Sequence, residues 1–488
     1  MSEFLGSSVA SAVAINVEQN ARQNQSTAIL PQKIAVLGAG SSDVTYSTDP
    51  VKAVSATQIG DLFGYGSTLH LVAQQLFSGT DRLKGQTVTM YPVEEPTGSA
   101  AATYEIEITG TSTQTAQLVL KVGDFSYSVP VIVGADSATI NPLLVDRING
   151  DLDNPFLAEI STDKVLLTAK TKGSWISDLV VSVDGSAEGL TIVSTDLGTG
   201  SGYIDAEPAL QKIGTSWETI IINTSTVDDL TTLNALQNFG ESRWDPLIKK
   251  PLISITGSNV TDMGSLRTIT DARRSDRINT IVSVPGSRSF AAQIATNTTI
   301  IASNTFDSNP SNSAEQQALK NLSAGSDSVQ AQFPERDLNT KSGLTSTEVR
   351  NSQVILTDFV TAYHPTGEVT PAYRKVVDII KLMNCEYLLD SIFQREDWAG
   401  APLVPDGQVT SVSVGAKTPS LAKADVLEVC GFLIERAIIA DTIQSISDNM
   451  FCDISTINSD RLVIIVPVTL SGNFKQADIT LQFQFLRG

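Results

Sequence analysis

The sequence has few of the residues that build metal centres, disulfide frameworks and nucleophilic sites. Only three cysteines occur among the 488 residues, Cys385, Cys430 and Cys452, and no two of them form a Cys-x-x-Cys pair. This spacing excludes a zinc ribbon and a disulfide framework. The two histidines, His70 and His364, lie far apart in the chain and form neither of the paired-histidine motifs of zinc enzymes.

Positive charge and long apolar runs are also scarce. Lys and Arg number 33 against 53 Asp and Glu, a net charge of −20 whose field repels phosphate, so we expect no nucleic-acid partner. The apolar run at residues 462–468 contains Pro467 and is far shorter than the roughly 18 residues of a spanning helix. Glu3 stands where a secretion signal carries basic residues. We therefore predict neither membrane insertion nor secretion.

Known catalytic motifs are incomplete. Residues 38–43 (GAGSSD) begin like a dinucleotide-binding loop, but Asp43 replaces the third glycine. A His364–Cys385 dyad stays open, although Cys385 lies in a segment typical of a helix core, and His70 reads as a packing or surface residue. Abundant carboxylates leave a glycosidase-type acid/base pair open as well. We predict no enzyme, and no catalytic, cofactor-binding or metal-binding residue.

Hydrophobic patterning predicts a multidomain protein of mixed α/β (α+β) class. Residues 96–205 are rich in Thr, Ser, Gly and Val in short alternating runs, which predicts an inserted, mostly-β domain in an α/β core. Predicted strands are residues 33–37, 87–93, 104–108, 117–122, 127–133, 165–168, 179–183, 219–222, 252–256, 279–284, 460–470 and 478–486. Predicted helices are residues 67–77, 138–149, 228–239, 263–273, 374–392 and 421–450.

Both chain ends alternate apolar and polar residues, the pattern of a strand with one buried face. A terminal strand either pairs within its own sheet or adds to the sheet of a neighbour, and the pattern alone favours the first. The apolar positions are Val13, Ile15 and Val17 at one end, and Ile479, Leu481, Phe483 and Phe485 at the other.

Four segments carry a resemblance to one family. They are residues 62–70 (LFGYGSTLH), the strands and helix of 117–173 ending in VLLTAKTKG, residues 354–363 (VILTDFVTAY) with 371–378 (PAYRKVVD), and the C-terminal strand-turn-strand. In order and spacing they resemble the tail sheath proteins of contractile-tailed bacteriophages, especially the Mu-like type. The chain departs from the family in lacking a Pro-Gly-Val-Tyr start and in residues 327–350, which are shorter and more divergent.

The resemblance implies a structural subunit that forms stacked six-fold rings around a tail tube and contracts by subunit rotation. It implies that the alternating chain ends are arms donated to neighbouring subunits, with polar joints at residues 20–27 and 471–477 as hinges. The implied partners are other copies of the chain, the tail tube protein, and baseplate and tail-terminator proteins. The implied location is the virion, after assembly in the host bacterial cytoplasm.

With this resemblance, the expected organisation is an arm (1–24), a middle α/β domain (25–95 with 206–344), the inserted outer domain (96–205), an inner C-terminal α/β domain (345–477) and a C-terminal arm strand (478–488). Two alternatives stay open. One is another self-assembling sheath or shell protein, from a secretion system or an S-layer. The other is a carboxylate-dependent polysaccharide depolymerase.

Overall fold

A six-stranded, mostly parallel sheet lies at the centre of the fold. The computed structural model describes residues 29–176, 179–184, 187–368, 371–408 and 415–475. The sheet has the order β13-β12-β11-β1-β3-β2, with only β2 antiparallel to its neighbour. Its strands are β1 (Lys33–Ala39), β2 (Val51–Ala53), β3 (Thr87–Val93), β11 (Ile220–Asn223), β12 (Ile253–Ser258) and β13 (Asn279–Ser283).

Helices cover both faces of this sheet, so its strands are largely buried on both sides, and β1 reads as a nearly continuous apolar run. Ile34 of β1 pairs with Ile220 on one side and Val88 on the other, and all three are buried. One face carries α1 (Ala56–Phe63), α2 (Thr68–Ser78) and α7 (Ala291–Ser308), and the other carries α4 (Glu207–Gln211) and α5 (Leu230–Arg243). A further helix, α6 (Met263–Asp271), packs beside β13.

The longest of these helices, α7, was not predicted, because it is buried on nearly all sides and polar residues are mixed with apolar ones over its whole length. Thr296, Thr298 and Thr299 are fully buried, and each hydroxyl donates to the carbonyl four residues earlier, at 2.6–2.9 Å. Asn297 donates to the Gln75 side chain at 2.8 Å. Since these contacts satisfy polar groups within the core, buried threonine and asparagine can lie among the apolar residues of α7 and obscure the helical pattern in the sequence.

Two antiparallel sheets and one helix form the segment between β3 and α4. Their shared core includes Tyr104, Leu120, Ile140 and Leu167. The predicted helix and five predicted strands are confirmed here, whereas β7 and β10 were not predicted. One sheet has the order β10-β4-β8-β7 and the other β6-β5-β9. The elements are β4 (Thr103–Gly110), β5 (Ala116–Val122), β6 (Phe125–Val131), α3 (Ser137–Asn149), β7 (Phe156–Ser161), β8 (Lys164–Ala169), β9 (Val181–Asp184) and β10 (Leu190–Gly198).

The chain after α7 adds helices and two small antiparallel sheets. These elements are β14 (Ala318–Leu319), a 3-10 turn (Asp327–Val329), α8 (Phe333–Lys341), β15 (Ser346–Arg350), β16 (Gln353–Asp358), α9 (Val376–Phe393), α10 (Pro419–Glu435), α11 (Ile443–Asn449), β17 (Phe451–Ile454) and β18 (Leu462–Ile465). The sheets are β14-β16-β15 and β17-β18.

One helix prediction in this region was wrong. The single helix predicted over residues 421–450 is two, because α10 ends where Ala437 adopts a left-handed φ of 55°. The amide of Ile438 then donates to the carbonyl of Leu433 at 2.9 Å, a bond that closes the helix end.

The predicted mixed α/β class is confirmed by these layers, whereas the domain boundaries stay a prediction. Within the described ranges, no helix combines the length and the apolarity needed to cross a bilayer.

Candidate assembly site at the chain ends

The predicted arm residues lie outside the described part of the chain. These are Val13, Ile15 and Val17, and Ile479, Leu481, Phe483 and Phe485. The structure does place the segments that lead to them, residues 29–32 and 471–475. Both segments contact the same helix, α9.

A buried lysine of α9 holds the C-terminal segment. The side chain of Lys381 has no solvent exposure, and its Nζ donates to the Ser471 carbonyl at 2.5 Å and to Asn473 Oδ1 at 2.9 Å. Asp378 Oδ1 lies 3.4 Å from the same Nζ. Burial lowers the pKa of Lys381, and the charge of Asp378 partly opposes this shift. Asn473 in turn donates to the Ser311 carbonyl at 2.8 Å, which ties the segment to a second part of the core.

An asparagine one turn further along α9 holds the N-terminal segment. The buried Asn384 accepts a hydrogen bond from the backbone amide of Leu30 at 2.9 Å. The side-chain nitrogen of Asn384, Nδ2, donates to the Ile380 carbonyl at 2.9 Å, and this bond fixes the orientation of the side chain. Next to Leu30, the buried Gln32 accepts from the Thr219 hydroxyl at 3.0 Å. The start of the described chain is thus anchored by hydrogen bonds to both α9 and the central sheet.

Sequence analysis missed Lys381 and Asn384, although a signal was present. The segment that forms α9 is apolar on all sides, so it predicts a buried helix. Lys381 and Asn384 are three positions apart, so they share one face of this helix. Because the helix is buried, their polar groups must find partners inside the protein. The partners lie 90 and 354 residues away in the sequence, and no local pattern names them.

A second lysine fixes the C-terminal segment at its end. Lys475 Nζ lies 2.7 Å from Glu315 Oε1 and 3.1 Å from Asp358 Oδ1. Burial alone would lower the pKa of Lys475, but the two carboxylates together raise it. Between the two lysine contacts, the aromatic ring of Phe474 is exposed.

The ribbon of β17 and β18 packs against α9 and α10, and its outer edges pair with no other strand among the described residues. Its inner face, including Cys452 and Ile464, packs against the core of α9 and α10. On its outer face, Phe451 and Ile465 form a cross-strand pair that is 50% and 58% exposed. Two-stranded ribbons are marginal alone, and open edges accept further strands.

Buried side chains fill the space at the carboxyl end of β1, on the edge of the sheet where open α/β sheets bind ligands. Thr68 Oγ1 donates to the Ala39 carbonyl at 2.6 Å and accepts from the Ala39 amide at 3.1 Å. A Cβ at Gly40 would lie 2.5 Å from the Tyr46 ring. Trp175 lines the remaining cavity of about 10 Å³, space for roughly one water molecule. The glycines of residues 38–43 therefore serve packing, and this small cavity has no room for a nucleotide.

The two histidines and Cys385 are held in separate structural contacts. His364 Nε2 lies 3.0 Å from Asp271 Oδ1, whereas Cys385 packs in the core of α9 and α10. Burial raises the pKa of the Cys385 thiol to about 12, so it is not a thiolate at neutral pH. His70 is a buried packing residue, and it lies beside a loop of the β-rich segment, the part of the chain between β3 and α4. In the described ranges, no three His, Cys, Asp or Glu side chains form a group that could hold a metal ion.

These features define a mixed α/β protein in which one helix anchors both ends of the described chain. No family model matches the sequence. The chain is 23% identical over 445 residues to the Mu-like prophage FluMu tail sheath protein of Haemophilus influenzae, covering 89% of each protein. The resemblance to Mu-like tail sheath proteins that the motifs indicate is confirmed by this relative.

Solved sheath structures also overlap most of the chain. The sheath tail protein of Desulfitobacterium hafniense matches with a TM-score of 0.45 and 12% identity over 94% of this chain and 100% of that one. A sheath complex of an extracellular contractile injection system in its contracted state matches with a TM-score of 0.49 and 9% identity over 98% of each chain.

Proposed function

We propose that the chain is the structural subunit of a contractile-tail sheath. The observation that carries the proposal is its homology, over most of both chains, to a Mu-like tail sheath protein. In this proposal the subunits form stacked six-fold rings around a tail tube, and the rings contract to drive the tube through the host envelope. The partners are other copies, the tube protein, and baseplate and terminator proteins of the virion, with assembly in the bacterial cytoplasm.

The links between subunits are proposed to be exchanged strands. The alternating residues at both chain ends suit strands with one apolar face. The β17–β18 ribbon is a fitting acceptor, because it offers main-chain groups at its edges and the exposed Phe451 and Ile465 on its outer face. Main-chain hydrogen bonds give such a joint its strength, and alternating side chains fix its register.

Contraction in this proposal is a rigid-body rotation of subunits from a kinetically trapped, extended packing to a more favourable one. The energy is stored in the assembly itself, so the step needs no nucleotide.

Electron microscopy of two arm variants tests the proposal. Deletion of residues 478–488 is expected to leave a folded subunit that forms no tubes, because the donated strand is absent. The matched variant exchanges Leu481 with Gln482 and Phe483 with Gln484, which keeps length and composition but moves apolar side chains to the other face. It is expected to assemble poorly as well. Full-length tubes from the deletion variant would contradict the donated strand, and compact particles from wild-type chain with its tube protein would contradict the sheath.

A further inference from the structure

A lysine, a carboxylate and a carboxamide lie together where residues 471–475 contact α9. Lys381 Nζ lies 2.9 Å from Asn473 Oδ1 and 3.4 Å from Asp378 Oδ1. The Lys381 side chain has no solvent exposure, whereas that of Asp378 is one-quarter exposed. The carboxamide is also held on its other side, because Asn473 Nδ2 donates to the Ser311 carbonyl at 2.8 Å. An amine, a base and an acyl group are therefore fixed next to one another by separate contacts.

These are the three groups that the exchange of one amide for another requires. A neutral amine can attack the carbonyl carbon of a carboxamide while a neighbouring carboxylate moves the proton. Asn473 Cγ is bonded to Oδ1 at about 1.2 Å, so it lies within about 4.1 Å of Lys381 Nζ. Reacting atoms in a near-attack arrangement are about 3–3.5 Å apart. A shift of at most about 1 Å in the carboxamide therefore brings Cγ into range of the amine.

Burial places Lys381 closer to its reactive form. It lowers the pKa of the side chain, so the neutral amine is more populated than in an exposed lysine. The Ser471 carbonyl accepts a hydrogen bond from the same Nζ at 2.5 Å and holds the end of the side chain in place. Lys381 thus combines a fixed position with access to a free electron pair on nitrogen.

Lys475, on the same segment, has the opposite environment. Its Nζ contacts Glu315 Oε1 at 2.7 Å and Asp358 Oδ1 at 3.1 Å, and these two carboxylates raise its pKa. Lys475 therefore stays an ammonium ion, which has no free electron pair, and its partners are ionised carboxylates, which are poor acyl donors. The contrast singles out Lys381 as the lysine of this segment's contacts that can react.

We propose that Lys381 and Asn473 form an isopeptide bond, with Asp378 as the group that transfers the proton. The neutral Nζ attacks Asn473 Cγ, and a bond forms between these two atoms. Asp378 takes one proton from Nζ and passes it to Nδ2. The bond between Cγ and Nδ2 then breaks, its electron pair stays on nitrogen, and ammonia leaves. No other reactant is consumed, and the product is a secondary amide that closes a covalent loop between residues 381 and 473.

Mass spectrometry of the purified full-length chain tests the bond, and the test does not depend on the proposed sheath function. After a day in the folded state at pH 8, the chain is expected to be lighter by the mass of ammonia, about 17 Da. Digestion is expected to give a branched peptide that joins residues 381 and 473. A folded wild-type chain that keeps its full sequence mass and gives no branched peptide would overturn the proposal.

Three variants assign the roles of the residues. Asn473→Ala removes the acyl group and is expected to keep its full mass, whereas Asp378→Asn removes the base and should form the bond at least about tenfold more slowly. The matched control is Lys423→Met on α10, whose ammonium donates to the Ser447 carbonyl at 2.6 Å, and it is expected to react like the wild type.

One other site could lose ammonia, because an asparagine followed by glycine, such as Asn149 before Gly150, can cyclise on its own backbone. The branched peptide separates the two reactions, since a cyclised asparagine joins no second segment. A loss of ammonia that persists in Asn473→Ala would place the reaction elsewhere and overturn the proposal. Unchanged bond formation in Asp378→Asn would overturn the role of that carboxylate.

Discussion

His70 Nε2 lies 3.8 Å from Asp153 Oδ1, and this pair joins α2 of the parallel-sheet layer to a loop of the β-rich segment. The Gly66 amide donates to the other ring nitrogen, Nδ1, at 3.0 Å, so the proton of the neutral ring sits on Nε2. Nearby, Lys170 Nζ donates to the Tyr65 and Leu152 carbonyls at 3.3 and 3.2 Å. The contact between the two layers thus combines the buried His70 with the partly exposed Asp153 and Lys170, each with defined partners.

Mild acid is expected to weaken this contact. Burial lowers the pKa of His70, the charge of Asp153 opposes the shift, and Lys170 adds to it. In the unfolded chain His70 binds a proton below about pH 6.5, whereas in the folded chain it does so only at lower pH. The contribution of His70 to stability is therefore complete above about pH 6.5 and falls as the pH decreases below that value. Thermal unfolding at pH 7.5 and 5.5 measures the effect. His70→Asn keeps an acceptor for the Gly66 amide but does not titrate, so its Tm should fall less than that of the wild type between pH 7.5 and 5.5. An equal fall in the two proteins would contradict the prediction.

Gly66→Ala is expected to destabilise the same contact by about 2 kcal/mol. Gly66 has a φ of +81°, and an added Cβ would lie 2.2 Å from the backbone oxygen of Asn154. Urea unfolding of this variant is compared with that of Gly98→Ala. Gly98 has a similar φ of +73° but no atom within 4 Å of an added Cβ. Equal losses of unfolding free energy in the two variants would show that the positive φ alone causes the destabilisation, and that the contact between the added Cβ and Asn154 does not contribute.

Glu315→Gln is expected to loosen the end of the C-terminal segment. Lys475 would keep Asp358 but lose its shorter carboxylate contact. Because the raised pKa of Lys475 keeps it charged to alkaline pH, the contact is complete at neutral pH and weakens only as pH rises through that pKa. Cleavage by a lysine-specific protease after Lys475 should be about fivefold faster in the variant. Cleavage after the exposed Lys341 is the internal control, and equal acceleration at both sites would contradict the prediction.

Ile465→Asp is expected to abolish assembly without unfolding the subunit. Ile465 lies on the outer face of the β17–β18 ribbon and is 58% exposed, so the change should alter unfolding free energy by about 0.5 kcal/mol or less. Sedimentation and microscopy of the tubes measure assembly. Leu157→Asp is the matched control, since Leu157 is also an exposed apolar residue on a strand, β7. Tubes from Ile465→Asp at wild-type yield would remove the ribbon from the proposed interface.

Sequence patterns predicted those elements whose burial is apolar and whose partners follow from the pattern. β3 was predicted with its observed bounds, because its short run of β-branched and apolar residues is typical of a buried strand. α7 was missed because buried threonine and asparagine side chains interrupt its apolar pattern. The alternation at the chain ends predicted terminal strands, which lie outside the described residues, and the contacts of Lys381 and Asn384 join residues that are distant in sequence. Such pairing depends on tertiary packing, which no single segment encodes.

The sequence separation of one contact has a consequence for synthesis. Leu30 cannot form its hydrogen bond until Asn384 has been made, 354 residues later. At about 5–20 residues per second, the interval is on the order of 20–70 s. Throughout that time a nascent chain lacks the anchor that directs its N-terminal segment, while β17 and β18 do not yet exist. A polysome can therefore carry many unfinished copies side by side, and none of them yet has both parts of the proposed contact between an arm strand and a β17–β18 ribbon.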